Sequence, residues 1–291
     1  MRMKNLKSII KSVLKYTLCL ILSLLLALII RLFLCNFYRV PGNSMEPVIL
    51  PGDFILANKW TYGARIFTGL KFDRNSDPSM IHAPGVRQIR RNDVVVFNFP
   101  YRHTWDTIRM NLDKVLVKRC IGLPGDNISA VEGFYHVTGL VDTLGNIPEQ
   151  KRLVHNRSTL DSVILKPSAF DKPLDWDIIN FGPFYIPAAG CSIVLTPENF
   201  KLYHKQIVYE TGAVVRCDDL LVYINDTLRY DYTFRCNWYF MAGDKAMNSQ
   251  DSRYIGLIPE DYIIGRASRV MLSKDVHTGN RRWNRTLKRI K

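Results

Sequence analysis

At 291 residues, 47% of them hydrophobic, the chain is long enough to bury the core of one large domain or two modest ones, which excludes a linker. Its formal charge of +14 invites a nucleic-acid reading. However, Arg2, Lys4, Lys7, Lys11 and Lys15 at one end and Arg281, Arg282, Arg285, Lys288, Arg289 and Lys291 at the other carry most of the excess, with no acid among them. A phosphate groove needs basic residues through the body, so nucleic acid is not an expected partner; basic ends suit anionic lipid or plain solvation.

The first element is apolar. Residues 16–30 (YTLCLILSLLLALII) carry no charge. At about 1.5 Å per residue this run alone is too short for a hydrocarbon core of about 30 Å. Extended over residues 12–38, with Lys15 and Arg31 turned outward, it spans, and Phe37 and Tyr38 are expected at the interface. A cleaved signal peptide fits less well because no small-x-small site follows, and a lipoprotein signal because the large Leu34 precedes Cys35. The expectation is one uncleaved, single-pass helix in the inner (cytoplasmic) membrane, its basic N-terminus in the cytoplasm and everything after Tyr38 extracytoplasmic.

Beyond it, short β-branched runs separated by Gly, Pro, Asn and Asp (DFILAN, DVVVFNF, KVLVKRCIGL, SIVLTP, LLVYIND) predict a mainly β protein. Residues 64–90 read as polar loop. PENFKLYHKQIVYETG predicts one helix starting after Thr196 and stopping at Gly212. Residues 127–235 have strands and turns of their own but no candidate chemistry, which suggests an inserted β-rich subdomain. The expected division is 1–38 for basic N-terminus and anchor, 39–126 for the first part of the main β domain, 127–235 for the insert, and 236–291 for the second part of that domain and a basic tail. With Trp283, Leu287 and Ile290, that tail reads either as a cationic membrane-surface helix or as a solvated end.

None of the six cysteines forms a CxxC pair, so neither zinc nor another metal is expected. Cys217 and Cys236 flank a segment whose centre, Asn225-Asp226, resembles a hairpin turn. A disulfide between them and unpaired cysteines are both open readings.

The chemistry centres on Ser44, a few residues beyond the apolar run. A serine hydroxyl needs a base, and the six histidines, His82, His103, His136, His155, His204 and His277, lie in polar or loop-like surroundings. Lys118 stands instead inside a strand-like apolar run before a Pro-Gly-Asp turn, on the same face as Leu116 and Cys120. Lysine ordinarily titrates near 10.4, but burial can lower it to about 5 to 6, and a neutral amine can accept the serine proton.

Four segments carry a resemblance. VPGNSMEPVILPGDFILANKW resembles the serine box of type I signal peptidases, membrane-anchored Ser/Lys proteases. RRNDVVVFNFP resembles the strand box that follows, VKRCIGLPGDNI the lysine box, and YFMAGDKAMNSQDSRYIGLIPEDYIIGRA the C-terminal box, all in family order. The resemblance implies an antiparallel β catalytic domain, a serine endopeptidase that cleaves signal peptides from preproteins through an acyl-enzyme, and no cofactor. It implies Ser44 as nucleophile, Lys118 as general base, and Ser249 as the hydroxyl that orients the lysine. Asp251 and Arg253 match a structural ion pair, Asp244 the Gly-Asp turn, and Tyr38, Val40, Met45, Ile49, Leu116 and Val117 shallow apolar subsites for small side chains. Preproteins, membrane lipid and the secretion machinery are the implied partners.

There are departures from the family pattern: Gly42 where some members place a second oxyanion-donating serine, Val48 for a frequent threonine, Lys245-Ala246-Met247 for a polar run, and Ile255 for a tryptophan. A self-cleaving Ser/Lys peptidase of the repressor type shares the dyad but lacks the anchor. A catalytically silent, membrane-tethered scaffold of the same fold is the alternative from another class.

Overall fold

The structure, a computed structural model, describes residues 2–69, 77–166 and 176–291. Helix α1 (Arg2–Ile29) runs through a π-helical turn (Ile30–Leu34) directly into strand β1 (Cys35–Arg39). Its stretch Lys11–Leu34 is long and apolar enough to cross a membrane and is not buried against the rest of the chain. The helical segment therefore ends at Leu34, four residues before the limit expected from hydropathy. Phe37 and Tyr38 belong instead to β1, which pairs with β2 (Asp53–Asn58) in the register Tyr38 to Ile55. Hydropathy does not see this boundary, because Cys35, Phe37 and Tyr38 prolong the apolar pattern past the end of the helix. The pairing takes up the backbone groups that residues 35–39 turn toward β2, and Lys59 covers the last helical carbonyls, its Nζ donating to Arg31 O at 2.8 Å and its N–H to Leu34 O at 2.9 Å.

Within the expected polar loop, β3 (Arg65–Phe67) and β4 (Met80–His82) pair as a short ladder; part of that loop lies outside the described residues. Next come the buried β5 (Val94–Phe99) and the long β6 (Asn111–Gly122). Then follow β7 (Asn127–Val131), β8 (Phe134–Val137), α2 (Ile147–His155), α3 (Ser162–Leu165), β9 (Phe181–Tyr185) and β10 (Ser192–Val194). Helix α4 (Pro197–Thr211) begins as its sequence requires: Thr196 accepts the Asn199 N–H as N-cap, and Gly212 closes the end at φ 65°. Strands β11 (Val215–Asp218), β12 (Leu221–Ile224), β13 (Thr227–Arg229) and β14 (Asp231–Thr233) follow. The chain ends with β15 (Trp238–Ala242), α5 (Ser252–Ile255), β16 (Ile258–Pro259) and β17 (Ile263–Ser273).

The principal sheet has seven strands in the order β1-β2-β17-β5-β6-β15-β16, all pairs antiparallel, so the fold is mainly antiparallel β behind an N-terminal apolar helix. Two apolar clusters flank it. The larger joins Val95, Phe97, Cys120 and Phe240 of the sheet to Ile128, Phe181 and Phe184 of the β8-β7-β9 sheet and to Ile207 of α4. The smaller lies on the other face, where Val94, Val96, Ile55 and Val270 meet Val40, Met45 and Ile49.

Cys217 and Cys236 are both free. Asn225 and Asp226 do form the expected turn, at φ 48° and 59°, but β12 also pairs with β11, which places Cys217 opposite Val222. Cys236 donates through Sγ to Glu210 Oε1 at 2.9 Å, in a knot where that carboxylate also accepts from Trp238 Nε1 and Tyr232 Oη.

The basic tail is neither a surface helix nor a solvated end. A 3-10 turn (Trp283–Arg285) and bridges Lys274–Arg281 and Arg269–Arg289 lay it along β17, and Ile290 is buried in the smaller cluster. Reading the tail by its charge fails because the charges sit on a backbone that the sheet captures.

Candidate active site

The loop between β1 and β2 carries Ser44. Its two ends are tied together: Val40 N–H donates to Asp53 O at 2.9 Å and Gly52 N–H to Val40 O at 2.8 Å. Gly52 is at φ +88°, with the Lys274 carbonyl where a side chain would begin, so no other residue fits. Inside the loop, Ile49 N–H donates to Met45 O at 2.9 Å, and Met45 and Ile49 are driven into the smaller cluster. Each buried side chain of that size contributes about 1.5–3 kcal/mol, so the residues between them, and Ser44 beside them, are held to one path. The Asp53 carboxylate, fully buried, takes the Leu50 N–H at 2.9 Å and the Arg285 guanidinium of the tail at 2.5 and 3.1 Å.

Lys118 is on β6, opposite Val95 of β5 and on the face of Leu116 and Cys120, as alternation requires. It is 3% exposed, and its Nζ donates to Ser44 Oγ. Burial brings the ammonium down to about 8, with Arg253 and Lys114 adding to the shift and Asp251 and Asp244 opposing it. A group that would be almost wholly protonated in water is thereby placed within reach of neutrality.

The wall around Lys118 comes from residues 243–253. Asp251 and Arg253 form a wholly buried pair at 2.8 Å, and the same carboxylate accepts the Gly243 N–H at 2.8 Å. Burial alone would raise the Asp251 carboxyl, but the Arg253 guanidinium and these hydrogen bonds hold it below the usual carboxylate range. Gly243 is confined: a side chain there would run into Ser249 and come within 2.7 Å of the Ser44 carbonyl. Asp244 takes Arg119 at 2.6 and 2.7 Å, both groups buried. Arg119, next to Lys118, is not singled out by the sequence; its only sign there is a second basic residue within the apolar run from Val115 to Ile121.

Ser249 does not hydrogen-bond Lys118 as expected. Its Oγ is buried without a hydrogen-bond partner among the described residues, while the lysine is turned to Ser44. Of the expected subsite residues, Val40, Met45 and Ile49 are buried in the smaller cluster, with Tyr38 and Val117 packed against it. Met45 and Ile49 are at most 1% exposed, so they form a floor rather than a surface. Leu116, one residue out of phase with Val117, packs against the larger cluster on the opposite face. Tyr38 and Val115, with Asn36, Lys59, Arg65 and Asn98, line a cavity of about 210 Å³. A larger one, about 600 Å³, is lined by residues such as Tyr62, Arg87, Tyr239 and Glu260 and holds none of the expected site residues. Of the histidines, His82 faces Asp261 at 3.0 Å, and none hydrogen-bonds Ser44 among the described residues. No group of His, Cys, Asp and Glu suited to a metal ion occurs among the described residues.

The model of the family "Signal peptidase, peptidase S26" matches residues 13–141 and 229–272, which include Ser44, Lys118 and the wall at 243–253. Signal peptidase I of Buchnera aphidicola subsp. Baizongia pistaciae is 29% identical over 242 residues, covering 81% of this chain and 69% of that protein. That of Buchnera aphidicola subsp. Schizaphis graminum is 25% identical over 251 residues, covering 84% and 70%. That of Pseudomonas aeruginosa is 26% identical over 254 residues, covering 84% and 66%. The chain belongs to this family of signal peptidases, peptidase S26, and is a serine peptidase, a hydrolase.

Proposed function

We propose that the protein removes signal peptides from exported preproteins with Ser44 as nucleophile and Lys118 as general base. The observation that carries this reading is the Lys118 Nζ to Ser44 Oγ hydrogen bond, made in a buried setting that lowers the lysine to about 8. In the mechanism, Lys118 takes the Ser44 hydroxyl proton as Oγ attacks the scissile carbonyl carbon. The protonated lysine then gives that proton to the departing amine as the C–N bond breaks, leaving an ester on Ser44. A water, deprotonated by the again-neutral lysine, hydrolyses the ester. The Ser44 N–H is the oxyanion donor in this reading, and one such donor is worth about 3–4 kcal/mol.

The substrate runs as an extended segment between β1 and β6, with small side chains at the first and third positions before the cut meeting Tyr38, Val40 and Val117 above the floor of Met45 and Ile49. The segment Lys11–Leu34 serves as the anchor, with its basic N-terminus cytoplasmic and the sheet on the extracytoplasmic side of the inner membrane. Because α1 passes into β1 without a loop, Ser44 is held close to the bilayer surface, where the cleavage site of a membrane-inserted signal peptide emerges. Membrane lipid and the secretion machinery are its surroundings. Residues 127–235 are an insertion: they leave after β6 and return at β15, two neighbouring strands, and the family match passes over 142–228.

The test is cleavage of a preprotein bearing alanine at both subsites by the full-length, detergent-solubilised protein. Wild type should cut after the signal, and Ser44→Ala and Lys118→Ala should not. An inert wild type on several preproteins favours the silent scaffold, and a Lys118→Ala variant that still cuts removes the dyad.

A further inference from the structure

The tripeptide Lys245-Ala246-Met247, where the family resemblance leads one to expect a polar run, has a place in the geometry. Lys245 Nζ meets Glu46 Oε2 at 2.6 Å, across 199 residues of chain. Glu46 is two residues after Ser44, and the backbone N–H of Lys245 donates to the Ser44 carbonyl at 3.0 Å. Beside these, Asn248 Nδ2 donates to Asn43 Oδ1 at 3.3 Å. Residues 43, 44 and 46 are thus joined to residues 245 and 248 by three links, one backbone, one amide and one ionic.

We propose that Lys245 is a positioning residue, its ion pair with Glu46 fixing the nucleophile loop against the wall that carries Lys118's neighbours; the proposal rests on the reading of Ser44 as nucleophile. Arg285 and the apolar floor hold the loop from the Asp53 side. On the side facing residues 243–249 these three links do the holding. The next residue, Ala246, is buried among Leu153, Ile178 and Ile179, and Met247 packs against the same group, so the lysine's own backbone is seated in an apolar cluster and cannot follow the loop if it drifts. Glu46 and Lys245 are 29% and 28% exposed. Water therefore competes for the pair, and either charge left alone is solvated instead of stranded, so its loss leaves the fold intact. What is lost is the angular restraint on Ser44 Oγ relative to Lys118 Nζ, to which the attack step is far more sensitive than folding or substrate binding.

The experiment compares full-length wild type, Ser44→Ala, Lys245→Met, Glu46→Gln and the swap Glu46→Lys with Lys245→Glu, in detergent, on one alanine-bearing preprotein. We expect both single variants to melt within a few degrees of wild type, to keep KM within about twofold and to lose about tenfold in kcat. The swap should recover most of that loss. Single variants with unchanged kcat, or a loss that tracks the melting temperature and is not recovered by the swap, overturn the proposal while the reading of Ser44 stands. An inert wild type overturns both.

Discussion

Arg285, in the basic tail, grips the buried carboxylate of Asp53 at 2.5 and 3.1 Å and also donates to Val48 O at 2.9 Å, so a residue 232 positions later in the chain braces the loop that carries Ser44. Truncating it strands a carboxylate with no exposure to water. We expect Arg285→Ala to cost about 3–5 kcal/mol of stability, because removing one partner of a buried pair leaves the other charge uncompensated. Thermal unfolding of the detergent-solubilised protein reads the loss directly; a melting temperature within a degree or two of wild type contradicts the bracing role.

On the proposed mechanism, Lys118 should make activity and stability depend on pH in linked ways. Its folded value of about 8 lies below the ordinary 10.5, so catalysis by the neutral amine should rise with pH through an apparent pKa near 8 in kcat/KM. Between about 8 and 10.5 the unfolded chain binds more protons at this residue than the folded one, so this residue makes stability rise with pH across that window. The cost of keeping it charged and buried is in full force below pH 8. Lys118→Met should therefore be inactive yet more stable at pH 7, by up to about 3 kcal/mol. Denaturant titrations of the two proteins at pH 7 and pH 10 decide this, the gap closing at the higher pH.

Gly42, where the family resemblance leads one to expect a serine in some members, leaves room for a side chain. A Cβ built there meets nothing within 4 Å. Gly42→Ser should fold as wild type does. If its hydroxyl reaches the oxyanion, kcat should rise about tenfold with KM little changed, a modest part of what a well-placed donor supplies. An unchanged kcat would place the second donor elsewhere.

Gly243 has no such room. Gly243→Ala pushes a methyl against Ser249 and the Ser44 carbonyl, so we expect kcat to fall by about 100-fold or more through displacement of the nucleophile. Retained binding of a non-cleavable peptide, measured by calorimetry, separates displacement from unfolding.

The sequence by itself determined the local features of this protein. The apolar run of residues 16–30 has only one structure available to it in lipid, because an unpaired backbone there is prohibitive. The cap at Thr196, the stop at Gly212 and the turn at Asn225-Asp226 follow from short-range stereochemistry, and all three are present. Lys118 was legible through its company: a lysine in a strand-like run is ordinarily unremarkable, and only the serine, strand and C-terminal segments that resemble the family singled it out, whereas Lys114 on the same strand is exposed.

Tertiary structure alone decided the rest. Where the apolar helix ends depends on β1 finding β2, a pairing that hydropathy does not encode. The tail's basic residues could not be read as a brace, because their partners, Asp53 and the backbone of Val48, lie more than 200 residues away, and charge patterning carries no distance. Arg119 and Lys245 stayed hidden for the same reason, since each is defined by a carboxylate brought in from another strand or loop. Leu116 and Val117, adjacent in sequence and grouped together by resemblance, part company because a strand sends alternate side chains to opposite faces, and only the folded sheet says which face holds the serine loop's floor.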